Sequence, residues 1–303
     1  MPSLPVGAWV ERAVNFLVEN FSGLFDGVAA LVQHLVNAVY FVLIRPHPLV
    51  LVAVFVAIAW LAARRWRLTV TTAVAFGLVQ SMGLWAETMQ SLAVVVVAAV
   101  VAIGIGIPIG IAAARNRHTS VAVRPMLDFM QTLPVFVYLL PAVFFFGIGV
   151  VPGVVATTVF AVPPAVRLTE LGIRQVDSEV VEAALAFGSR PRQVLREVQL
   201  PLAMPSIMAG VNQVIMMALS MVVIAGMVGG GGLGAVVVQA VTQLDIGRGF
   251  EGGLAVVILA IYLDRVSAAF SARRHRSSNR VLRRLRRPLS QSVPTPAVDG
   301  QAA

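Results

Sequence analysis

The sequence predicts an all-α integral membrane protein, a polytopic bundle of about seven transmembrane helices. Hydrophobic residues make up 58% of the 303 residues and charged residues only 12%, and the mean hydropathy is +0.86. A water-soluble domain of this composition would expose a very large apolar surface. Apolar stretches also recur along the chain at about the 20-residue length that a helix needs to cross a bilayer. The surrounding solvent is therefore predicted to be lipid.

Seven stretches are obtained when the chain is divided at its charged and Gly/Pro-rich breaks. The first two are short. Arginines follow the first, third, fifth and seventh stretch, and positively charged short loops remain in the cytoplasm. The C-terminus is therefore expected to be cytoplasmic and, with seven spans, the N-terminus to be outside. The predicted spans are residues 48 to 63, 68 to 85, 88 to 114, 125 to 147, 150 to 170, 201 to 228 and 251 to 271.

Two terminal segments flank this transmembrane domain of residues 48 to 272. Residues 1 to 47 mix polar and apolar positions at near-helical spacing, which favours an amphipathic helix on the outer leaflet. The alternative is an additional span near residues 28 to 44, which would reverse the position of the N-terminus. Residues 273 to 303 are Arg-rich and then Ser/Pro-rich, a composition typical of a disordered cytoplasmic tail.

The composition also argues against several kinds of catalyst. All 23 basic residues are arginine, and a P-loop requires a lysine that reaches the phosphates, so the chain is not a standard Walker-type ATPase. Cysteine is absent, and the four histidines are far apart and lack metal-ligand spacing. We therefore predict a protein that is not an enzyme, with no catalytic residue, metal or cofactor of its own and no cleaved signal peptide.

The loop between the fifth and sixth stretches, residues 172 to 200, is predicted to contain two short helices. Asp177 or Ser178 can cap the first helix, and Gly188 can adopt the left-handed conformation that closes it. Ser189 is the expected N-cap of the second helix, which Pro201 is expected to break as it opens the sixth span. The result would be a helix-turn-helix across the cytoplasmic mouth of the bundle.

The side chains of the second helix are expected to separate into two faces. Its apolar face would turn toward the spans, and its charged row would point outward. An element of this kind is suited to be held by another protein. The apolar face comprises Val194, Leu195 and Val198, and the charged row comprises Arg190, Arg192, Arg196 and Glu197.

The residue spacing in this loop resembles the coupling motif of binding-protein-dependent ABC importer permeases. In that motif Glu-Ala-Ala is followed after three residues by Gly, after nine more by Ile and, one residue further on, by Leu-Pro. Val198 replaces the Ile, a difference of one methylene. The resemblance implies that the motif residues contact an ATPase, together with Arg190 and Arg192. The matching residues are Glu182, Ala183, Ala184, Gly188, Leu200 and Pro201.

The resemblance extends, over about residues 85 to 272, to the glycine betaine/proline type of these permeases. It implies a type I ABC importer permease fold in the bacterial cytoplasmic membrane and transport by alternating access. The implied partners are a second permease copy, two ATPase subunits that bind ATP and Mg²⁺, and an extracytoplasmic substrate-binding protein, without nucleic acid. The similar stretches are residues 127 to 139, 145 to 153, 199 to 205, 208 to 213 and 218 to 225.

Some assignments remain open. The solute could be glycine betaine, proline betaine or proline, and alternatively choline, carnitine or ectoine. A rival function is an ion-coupled secondary transporter, which would require ionisable residues inside the spans. The glycine run of residues 104 to 110 favours helix packing over gating. Four residues of the sixth span could line the translocation path or pack in the core: Met216, Met217, Ser220 and Met221.

Overall fold

The computed structural model describes residues 6–285, and the regular elements of that range are all helices. The prediction of an all-α protein is therefore confirmed. The first seven helices are α1 (Val6–Ile44), α2 (Pro48–Ala63), α3 (Trp66–Ser81), α4 (Trp85–Arg115), α5 (Arg117–Thr132), α6 (Val135–Phe146) and α7 (Val150–Arg174). They are followed by α8 (Ser178–Ala186), α9 (Pro191–Gln193), a π-helical segment (Val194–Gln199), α10 (Leu200–Ser220), α11 (Val222–Met227), α12 (Gly232–Gln243) and α13 (Ile246–Leu285).

The number of helices that can span a bilayer is smaller than the predicted seven. By length and composition, five helices of the described range qualify, and a sixth span results if α5 and α6 are counted together. The predicted first two spans correspond to α2 and α3, which have 16 residues each. At 1.5 Å per residue such a helix is about 24 Å long, shorter than the hydrocarbon core of about 30 Å.

The predicted fourth span, residues 125 to 147, is broken near its middle. Helices α5 and α6 meet at an angle of 96°, and the backbone of Leu133 and Pro134 between them is extended. Proline disfavours the helical conformation in the residue before it and has no N–H to donate. The hydrophobic sequence thus continues through Leu133 and Pro134, whereas the helix is interrupted there.

The N-terminal segment packs against the bundle over its second half. Helix α1 has 39 residues with a kink at Phe21, and it is long and apolar enough to qualify as a span. Val32 and Val36 are buried against α4 and α7, and the ring of Phe25 stacks on Phe145 at 4.5 Å. This packing agrees with the alternative prediction of a span near residues 28 to 44. It disfavours the prediction that the whole segment lies on the membrane surface.

Helices α4, α7 and α10 form the centre of the bundle, and α7 is the most buried of the candidate spans. Glycines allow α4 and α7 to approach closely. A Cβ on Gly106 would lie 2.5 Å from the Ala165 Cβ, and a Cβ on Gly110 would lie 2.6 Å from the Thr169 Cβ. The geometry supports the packing role expected for the glycine run.

We predict that Gly110→Leu destabilises the bundle, whereas Gly104→Leu in the same helix does not. Gly110 also faces the carbonyl oxygen of Val166 at 2.7 Å from the Cβ position, so the two helices would have to separate. The expected loss is about 3 kcal/mol, in the range of core overpacking. At Gly104 no atom lies within 4 Å. Thermal unfolding in detergent measures the difference, and equal midpoints for the two variants would contradict the packing role.

The last helix is longer than the predicted seventh span. Helix α13 continues to Leu285, so it includes residues 273 to 285 of the segment expected to be disordered. Residues 286 to 303, the rest of that segment, lie outside the described residues. The five N-terminal residues lie outside them as well.

Candidate partner-docking element

The first helix of the loop has the predicted caps. The Asp177 carboxylate accepts a hydrogen bond of 3.0 Å from the Glu179 N–H, which satisfies one of the free donors at the start of α8. Gly188 has a φ of +84°. Its N–H donates to the Leu185 carbonyl at 2.9 Å, and the Ser189 N–H donates to the Ala184 carbonyl at 3.2 Å. This pair of bonds is a Schellman motif, which terminates the helix.

The second helix begins one residue later than predicted, because Arg190 and not Ser189 is its N-cap. The side chain of Gln193 reaches back, and its Oε1 accepts a hydrogen bond of 2.9 Å from the Arg190 N–H. This hydrogen bond gives the Arg190 N–H a partner, whereas a cap at Ser189 would have left that N–H free. The capping residue therefore depends on a side chain three positions further on.

Pro201 does not break the helix, contrary to the prediction. The chain passes from α9 through the π-helical segment into α10, and residues Pro191–Met227 form one continuous helical stretch. In the π-helical segment the Leu200 N–H donates to the Leu195 carbonyl, five residues back. Proline lies in the first turn of α10, where its missing N–H costs little. The wider turn thus accommodates the proline without an interruption.

The second part of the loop is anchored in the bundle. Val194 and Leu195 are 3% and 8% exposed, while Val198 and Leu200 are half-buried. Leu195 packs with Ile173 at the end of α7 and with α10. The apolar face predicted for this helix is therefore present, and a displacement of the loop would be transmitted to two central helices. The remaining members of this cluster are Ala203 and Ile207, with Ile107, Ile111, Ala114 and Val176 partly buried against them.

Helix α8, in contrast, buries none of its residues. Its main contact in the described range is with the π-helical segment. Phe187 at its end is 92% exposed, and Val180 and Leu185 are each more than 40% exposed. Glu182 and Ala183 are exposed and Ala184 is half-buried; the charged row of Arg190, Arg192, Arg196 and Glu197 is exposed as predicted. The element presents mixed apolar and charged surface that the other described residues leave uncovered.

A buried carboxylate at the end of α7 was not identified from the sequence. Glu170 is 6% exposed, and no other charged residue is buried among those whose exposure the structure describes. Its Oε1 accepts hydrogen bonds from the Ser120 hydroxyl at 2.7 Å and the Arg124 guanidinium at 3.3 Å. Arg174, one turn further on, lies 3.0 Å from the same oxygen.

This network joins the start of the loop to two other helices. Arg174 also donates to the Ala113 carbonyl of α4 at 2.9 Å, so it links α4 to the carboxylate that residues of α5 and α7 bind. A buried charge requires such compensation. A sequence signal existed, since a glutamate in an apolar helix with an arginine four residues later is typical of a helical ion pair. The partners on α5, about 50 positions away, could not be read from it.

A second ion pair lies beside this network. Asp128 of α5 pairs with Arg167 of α7, and both side chains are about half exposed. The two pairs border a cleft of about 310 Å³. Asp128 thus connects two helices at the protein surface, and its role is distinct from that of the buried Glu170.

The four residues of the possible translocation path have different environments. Ser220 is exposed, and its hydroxyl donates to the Met216 carbonyl at 3.0 Å. Met216 and Met217 are half-buried. Met221 is only 2% exposed and packs with Leu139 and Ala156. A lining role for these residues stays a prediction.

The described residues thus form a bundle of helices long and apolar enough to span a membrane, with one helical element that is anchored in the bundle but otherwise uncovered. The chain belongs to the family described as binding-protein-dependent transport system inner membrane component, which it matches over residues 106–276. It is 46% identical over 279 residues to the glycine betaine transport system permease protein OpuAB of Bacillus subtilis (strain 168), covering 92% of this chain and 99% of that protein.

Two further comparisons agree with this assignment. The chain is 45% identical over 266 residues to the glycine betaine/proline betaine transport system permease protein ProW of Escherichia coli (strain K12), covering 88% of this chain and 75% of that protein. Its fold is similar to an inward-facing structure of the MetNI methionine ABC transporter. The TM-score is 0.52 at 22% identity, over 65% of this chain and 93% of that one. The chain is therefore a transport permease with a type I ABC importer fold.

Proposed function

We propose that this chain is the translocation subunit of an ATP-driven importer of a small compatible solute, with glycine betaine as the first candidate. In this proposal two copies of the chain form the pathway across the bacterial cytoplasmic membrane. Two ATPase subunits bind ATP and Mg²⁺, and an extracytoplasmic binding protein delivers the solute. The relatives OpuAB and ProW, whose names refer to glycine betaine, support this choice.

The uncovered helix α8 is the observation that carries the proposal. Its exposed Phe187 and the absence of buried residues fit insertion into a groove of another protein. An exposed aromatic side chain beside arginines is typical of the centre of a protein interface. We propose that the ATPase binds this element through Glu182, Ala183 and Ala184 on α8, the Gly188 turn, and Arg190 and Arg192 beside it. Val198, Leu200 and Pro201 then support it from the bundle side.

The proposed coupling depends on a difference in burial: α8 is exposed, whereas the π-helical segment that it contacts is anchored in the bundle. ATP-driven closure of the ATPase dimer would move α8, and the packing of Leu195 against Ile173 would carry this movement to α7 and α10. The ion pair between Glu170 and Arg174 would make the end of α7 move as a unit with α4 and α5. The cavity between two permease copies would then alternate between inward and outward access.

Orientation and pathway belong to the same proposal. The arginine-bearing loops support a cytoplasmic position for the docking element and the C-terminus, because positively charged short loops remain in the cytoplasm. The residues of α10 proposed to face the solute are those that retain exposed surface: Met216, Met217 and Ser220. Met221 is buried and would support them from the core. An ion-coupled mechanism has less support, because Glu170 is already neutralised by Arg124 and Arg174 and forms no relay across the bilayer.

The test is uptake of labelled glycine betaine into vesicles that contain this chain, its ATPase and its binding protein. We expect uptake that requires ATP and the binding protein. Stimulated ATP hydrolysis without betaine uptake would keep the importer and exclude this solute; proline betaine, proline, choline, carnitine and ectoine would then be tested in turn. Uptake that proceeds without the ATPase would contradict the proposal.

A further inference from the structure

Four arginines converge on one cleft where the turn between α2 and α3 meets α13. The cleft has a volume of about 550 Å³. Arg64 and Arg65 form the turn, Arg67 lies in the first turn of α3 and Arg265 lies on α13, and all four residues are exposed. The cleft lies apart from the docking element and contains none of its residues.

The positive charge of this cleft is poorly compensated. Arg265 approaches Asp264 only to 4.0 Å. No carboxylate of the described residues lies within ion-pair distance of Arg64, Arg65 or Arg67. Thr71, also at the cleft, donates its hydroxyl proton to the carbonyl oxygens of Arg67 and Leu68, both at 3.0 Å. The chemistry that complements four guanidinium groups and one carboxylate is an anion, and phosphate suits guanidinium forks best.

The remaining surface of the cleft is apolar and lies next to exposed aromatic side chains. Two tryptophans flank the turn, Trp60 at 53% and Trp66 at 70% exposure. The Arg67 guanidinium lies over the Trp66 ring, 5.9 Å from its centroid. Exposed tryptophan in a membrane protein is typical of the interface between headgroups and hydrocarbon. Small or aliphatic side chains form the walls: Ala62, Ala63, Leu68, Ala268 and Ala269.

A ligand with an anionic head and an apolar body matches both parts of this cleft, whereas a soluble anion would match only the arginines. We propose that the cleft binds one anionic phospholipid, with the phosphate at Arg64, Arg67 and Arg265 and an acyl chain along the alanine walls. The lipid would belong to the cytoplasmic leaflet, since short arginine-bearing turns face that side. This assignment of the leaflet rests on the proposed orientation of the importer.

The experiment compares lipid binding by the full chain with that by two double variants that lose equal charge. Arg64→Gln with Arg67→Gln removes half of the guanidinium groups of the cleft. Arg45→Gln with Arg248→Gln removes two exposed arginines elsewhere. Each protein is placed in phosphatidylcholine nanodiscs with increasing phosphatidylglycerol, and the rise of its thermal midpoint is recorded. Native mass spectrometry of the detergent-purified chain counts the phospholipids that remain bound.

We expect phosphatidylglycerol to stabilise the wild type and the control variant and to bind about 30-fold more weakly to the cleft variant. Equal binding by the two double variants would overturn the proposal, because it would indicate attraction by total charge only. A similar stabilisation by inorganic phosphate in pure phosphatidylcholine would also overturn it, since the ligand would then be a soluble anion. Neither measurement requires transport, so the result is independent of the solute and of the ATPase.

Discussion

Gly188→Val is expected to reduce ATP-driven uptake at least about fivefold while the chain still inserts into the membrane. Valine is strongly disfavoured at the φ of +84° that this residue adopts. Such strain costs of order 1–3 kcal/mol, or roughly a 5- to 150-fold change in the population of the docking conformation. No atom lies within 4 Å of the Cβ position, so the effect comes from the backbone and not from a steric clash.

Copurification of the ATPase with tagged permease measures this effect directly, beside uptake into vesicles. Gly188→Asn is the matched control, because asparagine tolerates the left-handed conformation better than other residues do, and we expect it to retain most of the docking. Gly104→Val, at a helical position with free space around it, controls for the added side chain. Wild-type copurification and uptake in Gly188→Val would rule out the role assigned to this turn.

Arg174→Met is expected to lower the free energy of unfolding by about 3 kcal/mol, at the lower end of the range for a broken buried ion pair. The substitution leaves the Glu170 carboxylate buried, with only the Ser120 hydroxyl at 2.7 Å and Arg124 at 3.3 Å to compensate it. It also removes the hydrogen bond to the Ala113 carbonyl. The lower end applies because the Arg174 side chain itself is 39% exposed.

A double-mutant cycle tests the physical reason. Adding Glu170→Gln to Arg174→Met should restore part of the lost stability, because the buried carboxylate that has lost one of its two arginines is then replaced by a neutral group. Arg167→Met is the control: its pair with Asp128 is about half exposed, so we expect a loss below about 1 kcal/mol. Unfolding is followed by denaturant titration in detergent. Additive losses in the double variant would show that the buried charge is not what makes Arg174 important.

The local features of the docking element were predictable from the sequence. The cap at Asp177 and the left-handed Gly188 depend on residues within one turn, and short-range sterics and hydrogen bonds determine them. The sequence predicted an N-cap at Ser189 and a helix break at Pro201, and both predictions are wrong, since Arg190 is the N-cap and the helix continues through Pro201. In both cases a local preference had an alternative nearby, the Gln193 side chain for the cap and a π-helical turn for the proline.

The number of spans was less predictable for a different reason. Hydrophobicity identifies segments that avoid water, but a run such as residues 125 to 147 stays apolar across the Leu133–Pro134 bend of 96°. Helix α1 shows the converse case, since its mixed composition resembled a surface helix although Val32 and Val36 are buried in the bundle. Whether a helix is buried depends on which other helices pack against it, and this cannot be read from the helix's own sequence.

The sequence by itself determined that this protein lies in a membrane, that it is helical, and that one loop resembles a coupling motif and is closed by Gly188. Composition and short-range backbone preferences are sufficient for these conclusions. Only the tertiary structure decided three further features: Glu170 binds side chains of α5 and α7, α8 is left uncovered by the other described residues while Leu195 is anchored, and Arg265 lies beside the arginines around the α2–α3 turn. These features depend on which helix faces pack together, and that choice is made by the shapes and charges of residues far apart in the chain.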